Sequence, residues 1–373
     1  MGSLGSSLEK TAKRYFWNWA SRRIRVTRPF DLRLGASPSI LVLRPDRLGD
    51  FILSTPALLA LQKKAEPGLK LTLVAGERNA EIAEFFFPKA TVLISGKSFL
   101  KRLLLWARLL GGRYDATIDL HSYPFSTTSA LATLLSGSPL RVGFEAKGEF
   151  EKLSQRVFNL GVPAPSESLH ESEKSFLLVK KLCPSTQKIN KSSFKFPAVP
   201  APIAAQVNLF YKETGVGRKT RVLAVHPTLQ KEDNRWSQEN YVKLIRELEG
   251  ISGLTIMVVH GRGEEGELER FQKAIGKTPN LFVLPQDDVL FILEAAKRFD
   301  VFVCGDSGLT HLAALTTRVF AIFGPSDSKR WGPLEVGNKH EIFRNKDGKC
   351  DSVKPSEVAR KIQKLFGHKT GQK

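Results

Sequence analysis

The residues best suited by type and spacing to do chemistry lie between Phe299 and Leu315. An apolar run, Phe299-Asp300-Val301-Phe302-Val303-Cys304, stops at Gly305, and Asp306-Ser307-Gly308-Leu309-Thr310-His311 then opens a helical pattern. Asp306 and Ser307 are both good helix N-caps, and Gly308 lets a ligand approach the first turn. Free backbone N–H groups and the positive end of a helix dipole favour a phosphate there, with Thr310 and His311 as further donors. The same residues also suit an ordinary strand-to-helix turn, so the segment that follows matters. Arg318-Val319-Phe320-Ala321-Ile322-Phe323 reads as a second strand ending in Gly324-Pro325-Ser326-Asp327, with Arg330-Trp331-Gly332-Pro333 close behind. Two successive strand ends would then open toward one crevice, where open parallel sheets hold their ligands.

Two more segments carry candidate chemistry. In Leu43-Arg44-Pro45-Asp46-Arg47-Leu48-Gly49-Asp50, Gly49 permits a tight turn and Asp50 falls at a helix start, where its carboxylate could accept a proton from a substrate hydroxyl. Taken alone, Asp50 is better explained as a plain N-cap. In the second half, Val225-His226-Pro227-Thr228 leaves a strand and leads to Lys231, Asn234, Arg235 and Trp236. Thr228, Lys231 and Arg235 suit a pyrophosphate, and the composition also fits a solvated basic loop. His260-Gly261-Arg262-Gly263-Glu264-Glu265 resembles part of a dinucleotide fingerprint, but its glycine pattern is incomplete.

Positioning such turns requires alternating strands and helices, and the sequence supplies them. Strand-like runs at Ile40 to Leu43, Leu71 to Val74, Thr91 to Ile94, Ala116 to Leu120 and Arg141 to Phe144 alternate with helical stretches at Phe51 to Lys64, Ala80 to Phe86, Phe99 to Leu110 and Ser126 to Leu135. A polar, Pro-containing stretch from Cys183 to Pro202 breaks the rhythm and reads as a linker. The rhythm resumes with strands at Arg221 to His226, Leu254 to Val259 and Leu281 to Leu284, and helices over Gln238 to Leu248, Glu264 to Ile275 and Asp288 to Arg298. The expected organisation is an arm over 1–38, a parallel α/β domain over 39–190, a second over 203–355, and a helix and tail over 356–373, the helix folding back across the domains. The cleft between the halves is the default active site.

At 373 residues, 42% of them apolar, the chain is long enough for two such domains. Lysine and arginine outnumber aspartate and glutamate by 57 to 37, and this net charge of +20 calls for an acidic partner: nucleic acid, an anionic membrane or a phosphorylated substrate. No recognised RNA- or DNA-binding signature is present. Cys183, Cys304 and Cys350 are too scattered for a disulfide framework or a zinc site, which suits a reducing cytoplasm. No apolar run reaches the roughly 20 residues that span a bilayer, and the N-terminus lacks a signal-peptide core. Leu8, Ala12, Tyr15, Phe16, Trp19 and Val26 fall near helical spacing among Lys10, Lys13, Arg14, Arg22, Arg23 and Arg25. Such a helix suits either anionic lipid head groups or the protein's own body.

In order along the chain, Arg47-Leu48-Gly49-Asp50 with Thr55-Pro56, Tyr114 through Leu120, Arg141-Val142-Gly143-Phe144, Arg235-Trp236, Gly305-Asp306-Ser307-Gly308 with His311-Leu312-Ala313-Ala314, and Phe323 through Asp327 with Arg330 through Pro333 resemble the heptosyltransferases of glycosyltransferase family nine. The resemblance runs from Ser39 to Phe366. It implies a GT-B enzyme of two Rossmann-like domains that moves heptose, with inversion, from ADP-heptose to a phosphorylated lipopolysaccharide core acceptor in the cytoplasm, peripherally on the inner membrane. It further implies Asp50 as general base, a donor site at Thr228, Lys231, Arg235, Asp306, Ser307, Gly308, Leu309 and His311, and acceptor contacts at Arg47, Gly49 and His121. No cofactor beyond the nucleotide sugar and no metal are implied, and the chain holds no Asp-X-Asp. Many members carry lysine just before the Arg-Trp pair, where this chain has Asn234, which leaves a related transferase using another nucleotide sugar, or a non-catalytic nucleotide-sugar-binding scaffold, as the alternatives.

Overall fold

The computed structural model describes residues 37–367 except 66–67, 97, 189–193, 218 and 286–287. The basic arm therefore falls almost wholly outside the described residues. The chain divides into two compact units, one of Met1–Arg47 with Ser54–Ile189, the other of Leu48–Leu53 with Asn190–Lys373.

The first unit's elements run in strict alternation at the start. They are β1 (Ser39–Arg44), α1 (Leu48–Ala65, whose residues Leu48–Leu53 cluster with the second unit), β2 (Lys70–Gly76), α2 (Ala80–Phe86), β3 (Thr91–Ser95), α3 (Phe99–Gly111), β4 (Ala116–Asp119), α4 (Thr127–Leu135) and β5 (Leu140–Phe144). Then come α5 (Glu151–Val157), β6 (Leu160–Val162) and α6 (Glu171–Leu182). These last three escape sequence reading because two are short and α6 is polar enough to resemble loop. The strands form one parallel sheet in the order β3-β2-β1-β4-β5-β6. The inner strands β1, β4 and β5 are buried almost throughout, because helices cover both faces of a parallel sheet.

The second unit follows with α7 (Ala201–Glu213), β7 (Arg221–Val225), α8 (Gln238–Leu248), β8 (Leu254–Val258), α9 (Glu265–Ile275), β9 (Leu281–Val283), α10 (Val289–Ala296), β10 (Val301–Gly305) and α11 (Gly308–Ala314). It closes with β11 (Val319–Ile322), α12 (Ser328–Trp331), β12 (Glu341–Phe343) and α13 (Pro355–Gly367). Its parallel sheet has the order β12-β11-β10-β7-β8-β9. The stretch read as linker gives way at Ala201 to α7, which Pro202 opens from its first turn, a position that needs no N–H. Tyr211 of α7 is buried and donates its hydroxyl proton to the Ala295 carbonyl at 2.7 Å, fastening the helix to α10.

The final helix packs within the second unit. Val358, Ala359, Ile362 and Phe366 enter the same core cluster as Trp236, Tyr241, Leu244 and Ile245, so α13 packs beside α8. In each sheet the chain's winding reverses between two central strands, β1 and β4 in the first and β7 and β10 in the second. Those reversals decide where a ligand finds room, since helices leave the two strands toward opposite faces.

Candidate active site

At the reversal of the second sheet, β10 ends at Gly305 and α11 starts at Gly308. Ser307 alone takes the N-cap, its hydroxyl accepting from the Thr310 N–H at 3.4 Å. The Thr310 hydroxyl donates to the Gly305 carbonyl, so this side chain, fully buried, locks the turn rather than facing a ligand. Asp306 has a different task from the capping that its type suggests. Its carboxylate accepts from the Asn234 side-chain amide at 3.0 Å, and Asn234 Oδ1 accepts from the Ser326 hydroxyl at 3.2 Å. One buried asparagine thereby ties the loop after β7 to the turns after β10 and β11.

Gly305 and Gly324 exist for that contact. A β-carbon on Gly305 would lie 2.6 Å from the Asn234 carbonyl oxygen, and one on Gly324 would lie 2.7 Å from the Asp233 carbonyl oxygen. The short 3-10 turn Glu232–Asn234 therefore nests directly on two strand ends, which a larger residue at either position would push away.

The other face of the β7 loop is organised by a residue the sequence reading passed over. Glu264 Oε2 accepts from three groups: His226 Nε2 at 2.8 Å, the Thr228 hydroxyl at 2.6 Å and the Gly261 N–H at 2.7 Å. Burial acts to raise this carboxyl's pKa, but the hydrogen bonds from His226, Thr228 and Gly261 outweigh it and hold the group below its ordinary value. The incomplete glycine fingerprint around Gly261 is thus a brace for the His226–Thr228 strand exit. The hydroxyl proton of Thr228 is committed to Glu264, which leaves its oxygen lone pairs and backbone for other partners.

The remaining donor-side residues separate. Lys231 is exposed at the start of the 3-10 turn, and Leu309 and His311 are buried in α11. Arg235 pairs with Glu267 of α9 at 3.3 Å and with Glu232 at 3.7 Å. Its neighbour Trp236 is core, buried to 1% exposure and donating its indole N–H to the Val353 carbonyl at 3.0 Å.

At the reversal of the first sheet, the ends of β1 and β4 carry a buried charge cluster. Arg44 donates to the Leu120 carbonyl at 2.7 Å and pairs with Asp46 at 3.0 Å and Glu171 at 3.8 Å. Asp46 in turn pairs with His121 Nδ1. Burial opposes both charges, yet each sustains the other: Asp46, helped by Arg44 and Arg47, titrates below its ordinary value, and His121 above its own. His121 is 37% exposed, so its imidazole is held at the rim by one nitrogen. Asp119 lies fully buried behind it, accepting from the His121 N–H at 3.0 Å and from the Ser129 hydroxyl. Burial pushes its carboxyl up to about 6 despite those bonds. Asn79 donates to the carbonyls of Arg44 and Asp46, at 3.3 Å each, and fixes the strand exit.

Arg47 is exposed in that exit, Gly49 is buried, and Asp50 sits half-buried in the first turn of α1. The helix begins at Leu48, so Asp50 lies inside it instead of capping it, where a carboxylate still gains from the helix dipole. Among the described residues, no group of three or more His, Cys, Asp or Glu is placed to hold a metal ion.

Two Rossmann-like α/β units of parallel strands with helices on both faces define the GT-B class of glycosyltransferases. The chain belongs to glycosyltransferase family 9 (heptosyltransferase), whose profile matches residues 102–362, well over half its length. Solved structures share the fold at low identity. A family 9 glycosyl transferase from Veillonella parvula superposes with a TM-score of 0.73 at 16% identity, covering 89% of this chain and 97% of that one. The Escherichia coli ADP-heptose lipopolysaccharide heptosyltransferase II gives 0.69 at 18%, covering 89% and 100%. The Escherichia coli heptosyltransferase WaaC with ADP gives 0.68 at 20%, covering 88% and 99%. No curated protein matches the chain in sequence.

Proposed function

We propose that this family 9 glycosyltransferase moves heptose from ADP-heptose to a phosphorylated lipopolysaccharide core acceptor, inverting the anomeric centre without a metal. Asp50 takes the proton from the acceptor hydroxyl as its oxygen attacks the anomeric carbon. The bond between that carbon and the diphosphate oxygen breaks on the opposite face, and ADP leaves. The turn from Gly305 to His311 receives the diphosphate, with Thr228, Lys231, Ser307, Gly308 and Leu309 as its surroundings and Arg235 steadying the loop from its pair with Glu267. Backbone donors fixed before the reaction stabilise a leaving diphosphate without reorganising. Arg47, Gly49 and His121 serve the acceptor, with His121 as a cationic contact for its phosphates.

The observation that carries this reading is the bracing of the donor-side turn, with Asp306 held by Asn234 and the strand exit before Thr228 held by Glu264, in a chain of this family. Further support comes from the fold shared with an ADP-heptose lipopolysaccharide heptosyltransferase and with a heptosyltransferase solved with ADP. Asn234 also favours a second reading. Where many members carry a lysine this chain has a neutral amide already bonded to Asp306 and Ser326, so a differently charged or differently substituted nucleotide sugar is the rival donor. Calorimetry with ADP, ADP-heptose, UDP-sugars and GDP-sugars separates the two. Selective binding of ADP-heptose is expected, and preference for a uridine or guanosine donor would replace it with the second reading. Transfer should persist in EDTA.

A further inference from the structure

The helix α3 has two apolar faces, and among the described residues only one of them enters a core. Leu105 and Leu109 enter the core cluster with Leu41, Leu43, Val74 and Leu93, and Trp106 packs against it. On the opposite side, Leu100 is 64% exposed, Leu103 48%, Leu104 56% and Leu110 65%. Ala107 is exposed between them, so the open residues fall at helical spacing along one stripe. Half of the large apolar side chains that the described residues leave open sit on this one helix. Scattered surface leucines need no explanation, but a stripe along a helix face marks a contact surface.

Charge chooses the occupant. From Phe99 to Arg113 the chain carries Lys101, Arg102, Arg108 and Arg113, all exposed, and no carboxylate. Lys101 pairs with Glu77. A second copy docking the same face about a two-fold axis would bring these cations onto themselves. The chain's own arm, with Lys10, Lys13, Arg14, Arg22, Arg23 and Arg25, brings more of the same sign. An anionic bilayer surface takes both parts: the leucines enter the boundary between head groups and acyl chains while the arginines meet lipid phosphates.

We propose that α3 is a bilayer-docking face, seating Leu100, Leu103, Leu104 and Leu110 in an anionic membrane surface. The contact holds whichever sugar is transferred, because it needs lipid head groups and no acceptor. The test is co-sedimentation of the full chain with vesicles of phosphatidylglycerol and phosphatidylethanolamine, and with phosphatidylcholine alone. Leu100→Gln with Leu104→Gln keeps charge and helix propensity and should lower partitioning onto the anionic vesicles about tenfold or more. The thermal melt and transfer to a deacylated, water-soluble acceptor should stay as in the wild type. Leu103→Gln with Leu110→Gln repeats the test should the first pair disturb folding. Arg102→Gln with Arg108→Gln should weaken binding to anionic vesicles and leave the small binding to phosphatidylcholine unchanged. Wild-type partitioning by both leucine pairs would overturn the proposal, as would a dimer in sedimentation equilibrium that the leucine pairs dissociate.

Discussion

Asp119 and Asp50 show how differently two carboxylates can be set in one chain. Asp119 is fully buried and its carboxyl, ordinarily at 3.8, is pushed up to about 6. A group whose folded pKa is raised binds more protons folded than unfolded, so its contribution to stability is present below the ordinary value and is lost as pH climbs through about 6. Asp119→Asn removes the buried charge and should make the protein more stable at pH near 8 by on the order of 1–2 kcal/mol, with the gain fading toward pH near 4. Urea unfolding at the two pH values measures it, and an equal effect at both would refute the assignment. Asp50, half-buried in the first turn of α1, is instead placed for proton removal in the reading proposed. Asp50→Asn should reduce kcat about a hundredfold or more while ADP-sugar affinity stays within twofold, since proton transfer belongs to the transition state. Undiminished turnover would take the base role from Asp50.

Among elements, loops are made rigid by carboxylates and amides from other loops. Glu264, opening α9, holds the exit of β7 through His226 and Thr228. Glu264→Gln keeps the size but offers a weaker acceptor to three donors and adds an N–H without a partner, so ADP affinity should fall about tenfold with the fold intact. The sign of its pH dependence follows from the lowered pKa: stability from this group is present above the ordinary carboxyl range and is lost only as pH falls through the depressed value. Unchanged ADP binding in calorimetry would show that the brace does not serve the donor. The strands and helices themselves were largely legible, since α2, α3, α4, α8 and β10 appear within a residue or two of where periodicity puts them. What periodicity missed was mostly polar or brief: α5, β6, α6, α12 and β12, and with them the whole of α7.

Across the molecule, the excess of 20 positive charges joins the acidic-partner expectation to a surface. No helix among the described residues is long and apolar enough to cross a membrane. Removing residues 1–36 takes away a basic amphipathic segment and should reduce co-sedimentation with anionic vesicles at low salt. The reduction should shrink as salt rises, because the Debye length falls from about 10 Å at 0.1 M to about 3 Å at 1 M. Equal co-sedimentation of the full and shortened chains at low salt would leave the arm to pack on the protein.

The sequence by itself determined the alternation of strand and helix, the family and the strand-end turns that hold Asp50 and Gly305-Asp306-Ser307, because apolar period, capping residues and glycine are local properties. Only the tertiary structure decided what those turns lean on. Asn234 with Asp306, Glu264 with Thr228, and Asp46 with His121 are separated by 72, 36 and 75 positions, and no local rule relates them. Asn234 meets Asp306, and Asp46 meets His121, because each parallel sheet reverses its winding between two central strands, while Glu264 meets Thr228 because β7 and β8 are neighbours; the order of strands is set by packing across the whole sheet.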